Sequence, residues 1–312
     1  MVTGWSNCRS PTRWHDSGSY WTEPARPYGA AVPTPNAHSA SLGGVTEHPT
    51  TRAEAFRVRS ADGTTIAGER SGAGPALVFV DAAGGYSGFG SLRSLAEMLA
   101  ADFTVYTYDR RGRGGSGDTL PYAIEREIDD LGAVVAEAGG SAYGYAFSSG
   151  GLLALHAAAN GLPLTRLALL EPPIGDSETP TGETDFTREL ASLVAAGRQH
   201  EAAEFFQRSI GVPPEVIAEM ETMPTLAAVA HTLVYDCIIS DAASVGLLRT
   251  VRVPTLVLDS QGSSDDLTGW AAAVAAALPA GTHRSLPGEW HGVADDVLGP
   301  VLTEFFQSDR TG

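Results

Sequence analysis

Two adjacent serines, Ser148 and Ser149, lie in the stretch YGYAFSSGGLLALHAAA, after an apolar run and before two glycines and a helical pattern. A serine hydroxyl at such a junction can act as a nucleophile if a sharp strand-to-helix turn lifts it clear of the sheet. The turn closes only when the residues two before and two after the nucleophile are small. For Ser148 these are Ala146 and Gly150; for Ser149 they are Phe147 and Gly151. Phe147 would collide with neighbouring segments, so the spacing selects Ser148. The helix start behind it supplies a positive dipole end, and the Ser149 N–H becomes one expected oxyanion donor. A second donor is expected from the loop DAAGGY, residues 81–86, where the Ala83 N–H is assigned. The base that takes the serine proton and returns it to a leaving group is expected late in the chain. His291, in GEWHGV, fills that place. The plain alternative for Ser148 is a helix N-cap, common after a strand; the company of His291 weighs against it.

These residues need a scaffold, and the pattern from Ala53 onward provides one. FRVRS and TTIAGER flank the turn ADG and read as a hairpin. Strand patterns in PALVFV, FTVYTYD, AYGYAF and LTRLALL then alternate with helical patterns in SLRSLAEMLAA, AIEREIDDLGAVVAEAG and GLLALHAAANG. Such alternation specifies a mostly parallel sheet covered on both faces, an α/β architecture. The rhythm breaks over residues 176–247, where DFTRELASLVAAG, HEAAEFFQRSIG, PEVIAEMETM and TLAAVAHTLVYDCIISD each read as helix. A helical insertion after a strand of a parallel sheet is read as a lid. VPTLVLD resumes the sheet, and THRSLP and VLGPVLTEFFQ complete it. The expected organisation is therefore a core of residues 53–175 and 248–312 with a lid at 176–247. Residues 1–52, rich in Pro, Gly, Ser and Ala, read as a disordered extension despite Trp5, Trp14 and Trp21.

Bulk composition narrows the partners. The chain has 312 residues and a formal net charge of −17, which disfavours nucleic acid and anionic membranes. No run of about 18 apolar residues suggests a membrane span. The N-terminal stretch lacks a signal-peptide core, so a cytoplasmic location is the default expectation. Two cysteines, Cys8 and Cys237, imply neither a disulfide framework nor a metal site. No cofactor is expected: no GxGxxG follows a strand in the right place, and RRGRGGSG lacks the lysine of a phosphate-binding loop. The expected partner is a small-molecule substrate.

Over residues 53–309 the chain resembles the α/β-hydrolase superfamily, on the motifs DAAGGY, YDRRGRGGSGD, YGYAFSSGG, LLEPPIG, VPTLVLD and GEWHGV taken together. In particular it looks like a group of actinobacterial members whose substrates are mostly unassigned. The resemblance implies the α/β-hydrolase fold and a Ser–acid–His triad. It also implies a structural role for Asp109 and Arg111, which pin loops. In most such hydrolases the acid is an Asp a few residues after the strand matching TLVLD, and here that position holds Ser263. Asp265 or Asp266 could swing into place, and Asp259 lies early. Glu171, in LLEPPIG, follows the preceding strand, a position from which some members draw their acid. Glu171 is preferred and Asp265 kept as the alternative.

The expected activity is hydrolysis of a small, fairly apolar ester, lactone or thioester. The alternatives are a non-hydrolytic cyclase, isomerase or dehydratase on the same fold and, last, a binding module. His231 and Tyr235, one helical turn apart in the lid, serve packing or contact substrate. His156 is expected to pack within the helix that follows the serines.

Overall fold

A computed structural model describes residues 53–89, 92–212, 214, 217 and 225–308. The N-terminal extension expected at 1–52 and most of PEVIAEMETM lie outside the described residues. Among the described residues eight strands form one sheet: β1 (Glu54–Arg59), β2 (Thr65–Ser71), β3 (Ala76–Val80), β4 (Thr104–Tyr108), β5 (Ala142–Phe147), β6 (Leu164–Leu170), β7 (Thr255–Ser260) and β8 (Gly281–Leu286). Their order is β1-β2-β4-β3-β5-β6-β7-β8. The hairpin β1–β2 and the pair β2–β4 are antiparallel, and every later pair is parallel. This is the mostly parallel α/β-hydrolase sheet expected from the sequence.

Both faces of the sheet are buried, and side-chain alternation divides the strands between two cores. Val78 and Val80 of β3 and Val257 of β7 join one apolar cluster, whereas Leu77, Phe79, Leu256 and Leu258 join the other. Against the first face pack α2 (Ile124–Glu137), α3 (Ser149–Ala159) and α9 (Asp265–Ala277); against the second pack α1 (Leu92–Leu99) and α10 (Asp295–Gln307). In α1 the buried residues Leu92, Leu95, Ala96 and Leu99 follow the i, i+3, i+4, i+7 spacing of one helical stripe.

Between β6 and β7 the chain leaves the sheet for α4 (Asp185–Ala195), α5 (Gln199–Ser209), α6 (Thr225–Ala228), α7 (His231–Ala242) and α8 (Val245–Leu248). The single helix expected over TLAAVAHTLVYDCIISD is two. The chain tightens to i→i+3 hydrogen bonds as Val229, Ala230, Thr232 and Leu233 donate to Leu226, Ala227, Val229 and Ala230, a 3₁₀-like turn that re-aims α7. Phe186, Leu190, Phe206, Leu233 and Cys237 form the insertion's own apolar cluster. Ala83, Tyr86 and Phe89, from the loop after β3, pack against that cluster. Among the described residues no helix is long and apolar enough to cross a membrane.

Candidate active site

The carboxyl ends of β5 and β6 and the loop after β8 converge on one place. Ser148 follows β5 with φ 51° and ψ −125°. Its N–H donates to the Leu170 carbonyl at 2.9 Å, and its own carbonyl accepts from the Gly151 N–H at 2.8 Å. A Cβ at Gly150 would overlap the carbonyl oxygens of Val80 and Asp81, which explains why the turn tolerates only glycine there. Ala146 is fully buried at the other side of the bend. Ser148 stands at the N-cap position, yet its side chain makes no capping hydrogen bond. The residue is 3% exposed. Ser149 is sealed in the interior, and its hydroxyl donates to Asp236 Oδ1 at 2.9 Å. Of the two hydroxyls, then, Ser149's is engaged in the core and Ser148's has no hydrogen-bond partner among the described residues.

Glu171 is the first residue past β6. Register places it beside Ser148, since Phe147 pairs with Leu170. Glu171 Oε2 lies 2.6 Å from His291 Nδ1, and Oε1 accepts from the Ser260 N–H at 2.8 Å. Burial works to raise the Glu171 pKa. Hydrogen bonds from His291, the Ser263 hydroxyl and the Ser260 N–H outweigh it and hold the carboxyl below its usual range. An ionised carboxylate only accepts, so Nδ1 carries the proton and Nε2 is left as the basic nitrogen. The His291 ring lies against Phe147, the residue before Ser148, with centroids 4.8 Å apart, and beside Trp290 at 5.5 Å. The His291 backbone N–H donates to Ser263 Oγ at 2.9 Å, and Ser260 Oγ donates to the Glu289 carbonyl at 2.5 Å. The loop after β7 thus holds the carboxylate and the histidine loop together without supplying an acid of its own.

Backbone geometry singles out the same three positions. Among the described residues, the non-glycine residues with positive φ are Ser148, Glu171 and His291, at 51°, 48° and 52°. A residue with a side chain costs of order 1 kcal/mol or more in that region, and such outliers gather at functional sites.

The other carboxylates considered from the sequence lie elsewhere. Asp265 and Asp266 are exposed in the first turn of α9, and Asp265 uses its backbone carbonyl to accept from Thr268. Asp259 is buried at the end of β7, held by the Ser285 hydroxyl at 2.5 Å and by His283. His231 and Tyr235 both face Asp118: the Tyr235 hydroxyl donates to Asp118 Oδ2 at 2.7 Å, and His231 Nε2 lies 3.6 Å from the same oxygen. The Tyr235 ring is stacked on Tyr122 at 3.9 Å, so these two side chains help to seat α7 on the loop after β4. His156 is buried on α3, where burial lowers its pKa.

Ala83 sits in the loop Asp81–Phe89. The Ala82 N–H donates to Asp81 Oδ1 at 2.7 Å, and the Ala82 carbonyl accepts from the Gly85 N–H at 3.1 Å. Among the described residues nothing accepts from the N–H groups of Ala83 or Ser149, the two expected oxyanion donors. Burial pushes the Asp81 carboxyl up to about 6, against the Ala82 N–H and the charges of Arg113 and Arg110.

Behind this loop lies an ionic cluster that sequence reasoning did not find. Arg110 pairs with Glu127 at 2.6 Å and with Asp236 at 2.7 Å, and Arg113 pairs with Asp236 at 2.5 Å. All four side chains are buried. A lone aspartate inside the apolar run LVYDCIIS was the available signal, because a charge there requires a partner. Asp109 and Arg111 hold loops: Asp109 accepts from the Ser87 and Gly115 N–H groups, and Arg111 pairs with Asp130 at 2.6 Å. Among the described residues no group of three or more His, Cys, Asp and Glu is arranged to hold a metal ion.

The model of the alpha/beta hydrolase family matches residues 72–297. An alpha/beta hydrolase from Sphaerobacter thermophilus is 43% identical over 80% of this chain and 100% of its own, with a TM-score of 0.74. A thermophilic esterase from Thermogutta terrifontis is 21% identical over 82% of this chain and 99% of its own, with a TM-score of 0.62. An enol-lactonase from Burkholderia xenovorans is 18% identical over 80% and 99%, with a TM-score of 0.60. At those identities the last two attest the fold alone. No curated protein matches the sequence.

Proposed function

The chain belongs to the alpha/beta hydrolase family, and we propose that it is a serine hydrolase acting on a small, fairly apolar ester, lactone or thioester through Ser148, His291 and Glu171. The observation that carries this reading is the coincidence of strain and chemistry. Among the described residues, the three left-handed non-glycine positions carry a hydroxyl, an imidazole and a carboxylate, and the last two are joined at 2.6 Å. Glu171 takes the place of acid in this reading, and Asp265 does not enter it.

In this mechanism Ser148 Oγ attacks the substrate carbonyl carbon while its proton passes to His291 Nε2. Glu171 fixes the Nδ1–H tautomer and stabilises the imidazolium that forms. The oxyanion is met by the N–H groups of Ala83 and Ser149, the latter at the first turn of α3. Collapse expels the leaving group, which takes the proton from Nε2, and an acyl-enzyme on Ser148 remains. Water then attacks the acyl carbon with His291 again as base, releasing the acid and restoring the serine. The helices between β6 and β7 act as the lid: their apolar cluster reaches the Ala83 loop and offers apolar walls to the acyl or alcohol group. A fluorophosphonate probe followed by peptide mapping tests this reading. The expected result is a single adduct on Ser148 together with turnover of a short-chain ester panel. An unlabelled, folded protein with no turnover overturns it.

A further inference from the structure

The peptide unit between Ala82 and Ala83 carries two groups that matter together. Its N–H, on Ala83, is the oxyanion donor of the proposed mechanism. Its carbonyl, on Ala82, accepts a 2.7 Å hydrogen bond from Arg113 Nη1. In a trans peptide these two groups point in opposite directions. A guanidinium holding the carbonyl on one side therefore aims the N–H to the other. A cation on the carbonyl also polarises the amide and makes its N–H a stronger donor, as in any hydrogen-bonded chain of dipoles.

Arg113 is built for this task beyond what loop packing requires. It is 1% exposed. Nη1 also donates to the Gly85 carbonyl at 3.3 Å, Nε to Thr232 Oγ1 at 3.0 Å and Nη2 to Asp236 at 2.5 Å. Asp236 accepts from Ser149 Oγ as well, so one carboxylate touches both the arginine behind Ala83 and the residue that carries the second donor. Thr232 and Asp236 come from α7 of the insertion, Arg113 from the loop after β4 and Ala82 from the loop after β3. With Ser149 at the start of α3, four separate segments thus meet on the back of the expected oxyanion site.

We propose that Arg113 is a positioning residue that aims and strengthens the Ala83 N–H, tying the oxyanion site to the inserted helix. The proposal rests on the serine-hydrolase reading above. Its test uses the full chain and the variants Arg113→Lys and Thr232→Val, with active sites counted by fluorophosphonate titration. Hydrolysis of p-nitrophenyl butyrate is measured per titrated site, alongside inhibition by an alkyl trifluoromethyl ketone and by the matching methyl ketone. The former forms an anionic adduct on the serine, and the latter binds without one.

For Arg113→Lys the expected result is a fall in kcat of about 10-fold, a fraction of the loss on removing an oxyanion donor outright. KM should stay within about twofold. Trifluoromethyl ketone inhibition should weaken by the same factor as kcat, with methyl ketone inhibition unchanged. Thr232→Val should move the same quantities in the same direction by less, and it decides the matter should Arg113→Lys not fold. A purely structural arginine would lower the melting temperature or the titrated fraction and leave kcat per site and ketone selectivity alone; that result overturns the proposal. A wild-type protein that takes no adduct on Ser148 removes the serine-hydrolase reading itself, and this proposal with it. A labelled wild type with unaltered variants removes this proposal only.

Discussion

The carboxyl edge of the sheet and the ionic cluster behind it solve opposite problems. At the edge, Ser148, Glu171 and His291 adopt backbone conformations that residues with side chains avoid, and key atoms are left open. Ser148 Oγ and the Ala83 N–H have no hydrogen-bond partner among the described residues. Behind them, Arg110, Arg113, Glu127 and Asp236 lie buried and pair with one another at 2.5–2.7 Å. Reactivity sits where bonding is incomplete and the backbone is strained; rigidity sits where every charge is matched. Substitutions at the edge should therefore change rates, and loss of a cluster carboxylate should change stability, Arg113 alone reaching from the cluster to the edge through the Ala82 carbonyl.

The sharpest separation comes from Ser148→Ala, which should lower kcat by about 10⁶-fold while the melting temperature stays near that of the parent. Glu171→Gln should cost about 10⁴-fold, because the imidazole loses its tautomer control and its counter-charge; Asp265→Asn, on an exposed helix turn, should stay within about twofold in the same assay. In the cluster, Asp236→Asn leaves two buried guanidinium groups facing one carboxylate. It should destabilise the fold by about 3–5 kcal/mol, read as a drop of about 10 °C in melting temperature. A variant that loses activity and keeps its stability would erase the contrast at this position.

The smallest expected effect concerns pH. Burial raises the Asp81 carboxyl to about 6, so the folded chain binds that proton more tightly than the unfolded one, whose carboxyl titrates near 3.9. Stability from this group is present below pH about 4 and declines as pH rises through about 6. Asp81→Asn should accordingly gain on the parent over that window by about 1 kcal/mol once solvent screening of a half-buried group is allowed for, measurable by urea denaturation at pH 4 and pH 7. Glu171 has the opposite sign. Its carboxyl is held low, so its contribution is complete at neutral pH and is lost only as pH falls through its folded value.

Much of this was readable from the chain. The strands and most helices follow from periodicity, and the small residues Ala146 and Gly150 mark the sharp bend at Ser148. What could not be read was whatever depends on register between distant segments. In one dimension Glu171 is only slightly preferred to Asp265 as the acid. Which of them meets His291 is decided by how β6 lies between β5 and β7, which brings the residue after β6 to the histidine loop. The role of Asp236 is not legible in the sequence because its partners, Arg110 and Arg113, lie over 120 residues away. The spacing of His231 and Tyr235 marks one face of a helix, and their side chains meet Asp118 across a similar distance along the chain.

The position of Glu171 has a bearing on modular engineering. It is the last residue before Pro172 and Pro173, where the polypeptide departs for the inserted helices. A cassette exchange between Asp176 and Ser244 would keep Ser148, Glu171 and His291 on the recipient. The donor would still have to bring a carboxylate to face Arg110 and Arg113, or the chimera would bury two bare cations against a single glutamate.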